Sequence, residues 1–237
     1  MQEALSQFPR SPIIYRFFTD FDDENQIDKF TTTALSSGTG AVTVDERCGV
    51  YRLSGAATTD NSGFQLQKDQ EAFSLKAGDV ARLLFRVKCS DGTEDEVFVG
   101  AAITDTTLLD GTGTLAGGLT HTDSVGIYKP DGGTNWYLVM RRDSVQISSG
   151  PISVAPTSYV DLAIQIEMDK VTAGKAIITG WVDGQSLGFL TTTTFPYDSE
   201  EILAESVAFV TGNATGTKTC DVDFVASEIR MVGSTRA

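Results

Sequence analysis

Polar and apolar residues alternate with a period of two along much of the chain. In YVDLAIQIEMD (159–169), Val160, Leu162, Ile164, Ile166 and Met168 fall on one side, and Asp161, Ala163, Gln165, Glu167 and Asp169 on the other. That is the pattern of a strand with one buried and one wet face. DVARLLFRVKC (79–89) sets Ala81, Leu83, Phe85 and Val87 against Val80, Leu84 and Arg86, with Arg82 and Lys88 near its ends, and GVYRLSGA (49–56) alternates in the same way. EVFVGAAIT (96–104) is almost entirely apolar, as expected of an inner strand covered on both faces. Asp-Gly pairs at 91–92, 131–132 and 183–184 supply the positive φ of tight hairpins, so KAIITGWVDGQSLGFL (175–190) reads as strand, turn, strand. EEILAES (200–206) is the one stretch expected to wind into a turn or two of helix, and DTTLLDGTGTLAGGLTHTDS (105–124) is the longest expected surface loop. Together these elements predict an all-β, antiparallel two-sheet β-sandwich forming one domain over 13–237, preceded by an arm over 1–12 that carries Pro9 and Pro12.

Composition narrows the partners. The 237 residues include 18 Lys+Arg against 32 Asp+Glu, a formal net charge of −14. Like charges repel, so neither nucleic acid nor an anionic membrane is an expected partner. The opening MQEALSQFPRSP has no basic stretch followed by an apolar one, and no apolar run reaches the roughly 18–20 residues needed to span a bilayer. Synthesis in the cytoplasm without a signal peptide is the expectation. Cys48, Cys89 and Cys220 are an odd set without metal-ligand spacing and are expected to be free thiols.

The N-terminal stretch FTDFDDENQIDKF (18–30) can then be placed. Phe18, Asp20-Phe21-Asp22, Ile27-Asp28 and Phe30 resemble the first strand and turn of concanavalin A-like jelly rolls, the lectin/glucanase sandwich. In that fold an aspartate-flanked Phe and a following aromatic seal one end of the core. CDVDFVASEIRMV (220–232) resembles its last strand, which pairs beside the first, and GWVDGQSLG (180–188) resembles its late hairpin. The resemblance implies an architecture, which lectins, hydrolases, lyases and structural shells all use.

Candidate chemistry is sparse. Retaining glycosidases need two carboxyl groups about 5–5.5 Å apart, and the jelly-roll glucanases deliver them from one strand in an E-x-D-x-x-E pattern. Glu94-Asp95-Glu96 is followed by Val97-Phe98-Val99; Glu167 and Asp169 share a face but the strand stops at Lys170; Asp221 and Asp223 share a face with Ala226 where a Glu is required. His121 is the sole imidazole and lies in the Gly/Thr-rich loop, and no phosphate-binding motif follows a strand. The sequence therefore predicts a protein that is not an enzyme. Asp20, Asp22 and Glu24 offer the hard oxygens calcium prefers, and calcium is the one candidate cofactor. Asn135, Trp136, Tyr137 and Arg141 are the candidate sugar-binding residues, since aromatics stack on pyranose faces; Trp136 and Tyr137 alternate along one strand, so one of them is assigned to the core.

In general style the chain also resembles the capsid decoration or cement proteins of tailed bacteriophages. That resemblance implies a virion protein on the capsid surface, a homo-oligomer such as a trimer, with the major capsid protein as partner. Phe8, Pro9, Ile13 and Ile14 are the candidate contacts. The alternative is a lectin-like module or fibre recognising surface glycans.

Overall fold

The computed structural model describes residues 13–22, 24–44, 49–69, 73–111, 113–115, 119, 123–143, 145–195, 202–212 and 216–231. Two antiparallel sheets form a sandwich. Sheet A contains β1 (Ile13–Thr19), β3 (Thr39–Val44), β4 (Gly49–Ser54), β6 (Val80–Cys89), β11 (Val160–Met168), β12 (Ala176–Val182), β13 (Gln185–Thr192) and β15 (Thr219–Met231). Its order is β13-β12-β11-β6-β15-β4-β3, with β1 also on β15. Sheet B contains β2 (Phe30–Leu35), β5 (Gly63–Lys68), β7 (Asp95–Ala102), β8 (Ser124–Lys129), β9 (Asn135–Arg142), β10 (Val145–Ser153) and β14 (Ala204–Thr211), in the order β10-β9-β8-β7-β14-β5-β2.

Alternation along each strand builds the core between the sheets. Leu83, Phe85 and Val87 of β6, Leu162, Ile164 and Ile166 of β11, and Val225 and Ile229 of β15 meet Val97 and Val99 of β7, Val125 and Ile127 of β8, and Trp136 and Leu138 of β9. The hairpin at Asp183-Gly184 has positive φ at both residues, 47° and 75°, as its two-residue turn requires. The first and last strands pair within sheet A: β15 runs antiparallel to β1 from Ile13↔Met231 to Thr19↔Val225. Beside that pairing Phe21 is fully buried, with ring centroids 5.8 Å from Phe30 and 5.6 Å from Tyr51. Gln26 organises the turn, its Oε1 accepting from the backbone N–H groups of Asp20 and Phe21, both at 3.2 Å.

Two sequence expectations change. The part of EEILAES that is described is not helical: Leu203 bridges to Phe73 and Ala204 opens β14, whose residues are all buried between β5 and β7. Pairing on both edges overrides local helix propensity there. The Gly/Thr-rich loop is also more than a surface excursion. Leu108, Leu109 and Leu119, with Leu115, pack on the outer face of sheet B against Phe98, Tyr128, Val139, Ala208 and Val210, forming a second apolar cluster. Gln65 and Gln67 tie the start of the loop down: Gln65 donates to Asp105 O (2.6 Å) and accepts from Leu108 N (3.0 Å), and Gln67 donates to Ile103 O (3.1 Å) and accepts from Asp105 N (2.9 Å).

Candidate functional site on the open face of sheet A

The loop covers the outer face of sheet B, and among the described residues the outer face of sheet A is open. The outward residues of sheet A come into line through strand register. Trp181 of β12 stands opposite Ala163 of β11, Ala163 opposite Leu84 of β6, Leu84 opposite Ala226 of β15, and Ala226 opposite Phe18 of β1. At about 4.8 Å per strand this apolar row crosses roughly 19 Å of the sheet. Small residues on either side leave Leu84 proud at 47% exposure, while Phe18 is 60% exposed at the end of the row. Among the described residues, Phe18, Leu84, Val145, Val171, Ile177 and Phe189 are the exposed large hydrophobics, and all but Val145 and Val171 lie on this face. Such clustering, unlike scattered exposure, marks a surface that meets something.

Polar rows flank the apolar one. On one side run Thr179, Gln165, Arg82, Glu228 and Arg16, with Phe189 at the far end of the row. Arg82 Nε donates to Gln165 Oε1 (2.9 Å), and Glu228 is shared between Arg230 (2.9 Å) and Arg16 (3.2 Å), which together hold its carboxyl below the usual range. On the other side Asp161 accepts from Arg86 Nε at 2.7 Å, Arg86 lies 5.9 Å over the Phe224 ring, and Phe224 stacks on Phe18 with centroids 6.3 Å apart. Between Phe18, Leu84 and Ala226, with Arg16, Arg82 and Glu228 on its rim, lies a groove of about 310 Å³.

The predicted sugar residues do not form a site. Trp136 is fully buried, its Nε1 donating to Val154 O at 2.9 Å, so its ring face cannot meet a ligand. Arg141 points to the opposite side of β9, buried, with Nη1 donating to Leu119 O at 3.0 Å. Odd and even residues of one strand face opposite ways, so the half-buried Tyr137 goes with Arg141 and the second cluster, and only Asn135 is exposed. In the candidate calcium turn, Asp20 and Asp22 both accept from the Gln26 amide nitrogen, at 3.3 Å for Asp20; the Glu24 side chain lies outside the described residues. Among the described residues no group of three or more His, Cys, Asp or Glu side chains is arranged to hold a metal ion. Phe8, Pro9, His121 and Cys48 lie outside the described residues, and the backbone of Ile13 and Ile14 belongs to β1. The register that makes the open face carries no local signal; Phe18, Ala226 and Glu167 stand out in the sequence for other reasons.

Buried ionisable groups lie elsewhere. On the covered face of sheet B, the Tyr128 hydroxyl donates to Glu96 Oε1 at 2.5 Å. Burial pushes the Glu96 carboxyl up to about 8 against the pull of that bond, with Asp110 and Asp131 adding to the rise. On the inner side Asp95 is pushed up to about 7 by burial, opposed by Lys129, whose Nζ donates to Asp95 O at 2.5 Å. Cys89 and Cys220 are free, buried and directly opposite each other on β6 and β15.

The carboxylate pairs weighed in sequence are tied into the fold. Glu167 accepts from Gln165 at 2.5 Å, Asp169 from Val171 N (2.8 Å) and Thr172 N (2.7 Å), Asp221 from Arg52 (2.6 and 2.8 Å), and Asp223 pairs with Arg86 at 3.5 Å.

No protein-family model and no curated protein matches the chain in sequence. Solved structures do match in shape. An endo-1,3-β-glucanase from Streptomyces sioyaensis shares 12% identity at a TM-score of 0.62, with 95% of this chain and 100% of that one covered. Peanut lectin shares 11% at 0.57, with 94% and 100% covered. A carbohydrate esterase from the Shiga toxin-encoding bacteriophage phi24B shares 14% at 0.55, with 92% and 100% covered. The fold is thus the concanavalin A-like jelly roll of lectins and glucanases. The expectation of a protein that is not an enzyme is corrected by these neighbours: carbohydrate-active enzymes stand beside a lectin on the same architecture, so the missing strand motif gives no ground for excluding catalysis.

Proposed function

We propose that this chain is a carbohydrate-binding jelly roll whose binding surface is the open face of sheet A. The observation that carries the reading is the line of exposed and half-buried apolar and aromatic side chains bordered by guanidinium and carboxylate groups. Phe18, stacked on Phe224, and Trp181 offer ring faces, and Arg82, Gln165, Glu228 and Asp161 offer donors and acceptors at the same level. Apolar ring faces beside convergent polar groups are what a pyranose needs, since it presents C–H groups on its faces and hydroxyls around its rim. A fold shared with lectins and glucanases supports the reading without specifying the sugar.

The chain has two tryptophans, Trp136 in the core and Trp181 half-buried on the proposed surface. Titration with a panel of oligosaccharides is expected to change the intrinsic fluorescence, and Trp181→Phe is expected to remove most of that change. Phe18→Ala is expected to weaken binding roughly ten-fold, the effect of losing one aromatic contact. A panel without any response at millimolar sugar would sink the proposal. A second reading, a decoration protein on a phage capsid, draws on the bacteriophage protein among the similar structures; under it the sugars give no response and the protein sediments with phage heads.

A further inference from the structure

We infer that the groove at the β1–β15–β6 end of the open face takes an anionic saccharide unit, a uronate, with its carboxylate on Arg82 and Arg16. This rests on the carbohydrate-binding reading and names the sugar class within it. The first argument is charge. The outward side chains of β1, β6, β11, β12 and the 223–231 part of β15 include Arg16, Arg82, Arg86, Lys88 and Arg230 against Asp161, Glu167, Asp223 and Glu228. Five cations against four carboxylates leave this face slightly positive on a chain of net charge −14. An anion repelled by the rest of the surface meets its lowest barrier here.

The second argument is how those charges are spent. Asp161 and Asp223 engage Arg86, and Glu228 is shared by Arg16 and Arg230, so one carboxylate serves two guanidiniums. Arg82 forms no ion pair with the described residues: its side-chain bond runs from Nε to the neutral Gln165 amide, which leaves the two Nη groups to a ligand. A guanidinium with its terminal nitrogens available is shaped for bidentate carboxylate binding.

The third argument is the groove. Its floor is Leu84 and Ala226, its wall is Phe18, and Arg16, Arg82 and Glu228 form the rim. At about 310 Å³ it sits at the small end of ligand pockets, which run roughly 300–1,000 Å³. A uronate matches each part: its C–H face lies against Phe18 and Leu84, its carboxylate meets Arg82 and Arg16, and a ring hydroxyl donates to Glu228.

Calorimetric titration with short oligoglucuronates and with cello-oligosaccharides of matched length tests this at low salt. The oligouronate is expected to bind at least ten-fold more tightly than the neutral oligomer. Arg82→Gln, an exposed substitution, is expected to lower oligouronate affinity by roughly ten- to a hundred-fold, the range for losing a hydrogen bond to a charged group. Lys170→Gln, the same charge change in the β11–β12 turn, is expected to leave it within two-fold or so. Neutral oligomers binding as well as uronates, with Arg82→Gln silent and Phe18→Ala weakening both, would overturn the inference and keep the carbohydrate reading. Binding to neither series overturns both. Equal, Arg82-dependent binding of poly-glutamate would reduce the site to unspecific attraction and reject the uronate. A dimer in sedimentation that Leu84→Arg dissociates would make a second copy the occupant and reject it as well.

Discussion

Burying a carboxyl group changes when it carries its charge, and Glu96 shows the consequence. In the folded chain burial pushes it up to about 8, whereas an unfolded glutamate titrates near 4.5. Between those values the folded protein holds a proton that unfolding releases, so stability falls as pH rises. The contribution is whole below about 4.5 and lost as pH passes about 8. Asp95, pushed up to about 7, adds in the same direction over a narrower window. Urea unfolding is therefore expected to give a higher unfolding free energy at pH 5 than at pH 8, by an amount on the order of a few kcal/mol. Glu96→Gln, which keeps an acceptor for the Tyr128 hydroxyl and cannot ionise, is expected to flatten much of that slope. An unchanged slope in the variant would place the pH dependence elsewhere. None of this is visible in the residues Glu94-Asp95-Glu96 themselves: the sequence shows three acids before a strand, and only pairing with β14, with Tyr128 and Lys129 of β8 reaching over, buries the last two.

Individual elements differ in how far the sequence discloses them, for a physical reason. β11 reads directly because one of its faces is wet, and its burial follows the two-residue period from Val160 to Met168. β7 reads as an inner strand because both faces are dry, yet what dries the outer one was not legible. The covering loop hides its leucines among Gly and Thr, and they find sheet B only in three dimensions. The open face of sheet A was less legible still. Phe18, Leu84, Trp181 and Ala226 belong to segments far apart in sequence, and cross-strand register alone makes them neighbours. The covering loop can be tested through its clamp. Gln65→Leu preserves bulk but removes the Gln65 bonds to Asp105 O and Leu108 N, at a cost of about 1–3 kcal/mol. Hydrogen exchange at the Leu108 amide is expected to quicken by roughly ten- to a hundred-fold while the β7 and β8 amides stay protected. Quickening of all three together would mean that the loop is part of the sandwich's own cooperative unit.

Across the whole molecule the first strand is held by the last, and the open face depends on that pairing. β15 holds β6 along one edge, and its 225–231 half holds β1 along the other, so β1 is fixed by a partner more than two hundred positions away. Its inward side chains do more than extend the sheet. Phe17 meets Phe30 edge-on at 5.8 Å, and both Tyr15 and Phe17 lie under Lys68, with the ammonium 4.8 and 4.9 Å from their ring centroids. That ammonium stands 3.9 Å from Glu205, a buried carboxylate that also accepts from Ser227. Removing β1 therefore exposes the β15 edge, opens the aromatic seal and unroofs a buried ion pair at once. A chain beginning at Asp20 is expected to lose about 4 kcal/mol or more relative to one beginning at Ile13, from lost aromatic burial and the ladder together. Since domains are stable by only about 5–15 kcal/mol, that loss is roughly a quarter or more of the total, and the truncated chain should unfold at a clearly lower urea concentration. Urea titration followed by near-ultraviolet circular dichroism measures this directly. An unshifted midpoint would mean that the sandwich stands without its first strand, and that Phe18 is carried by an appendage instead of by the sheet.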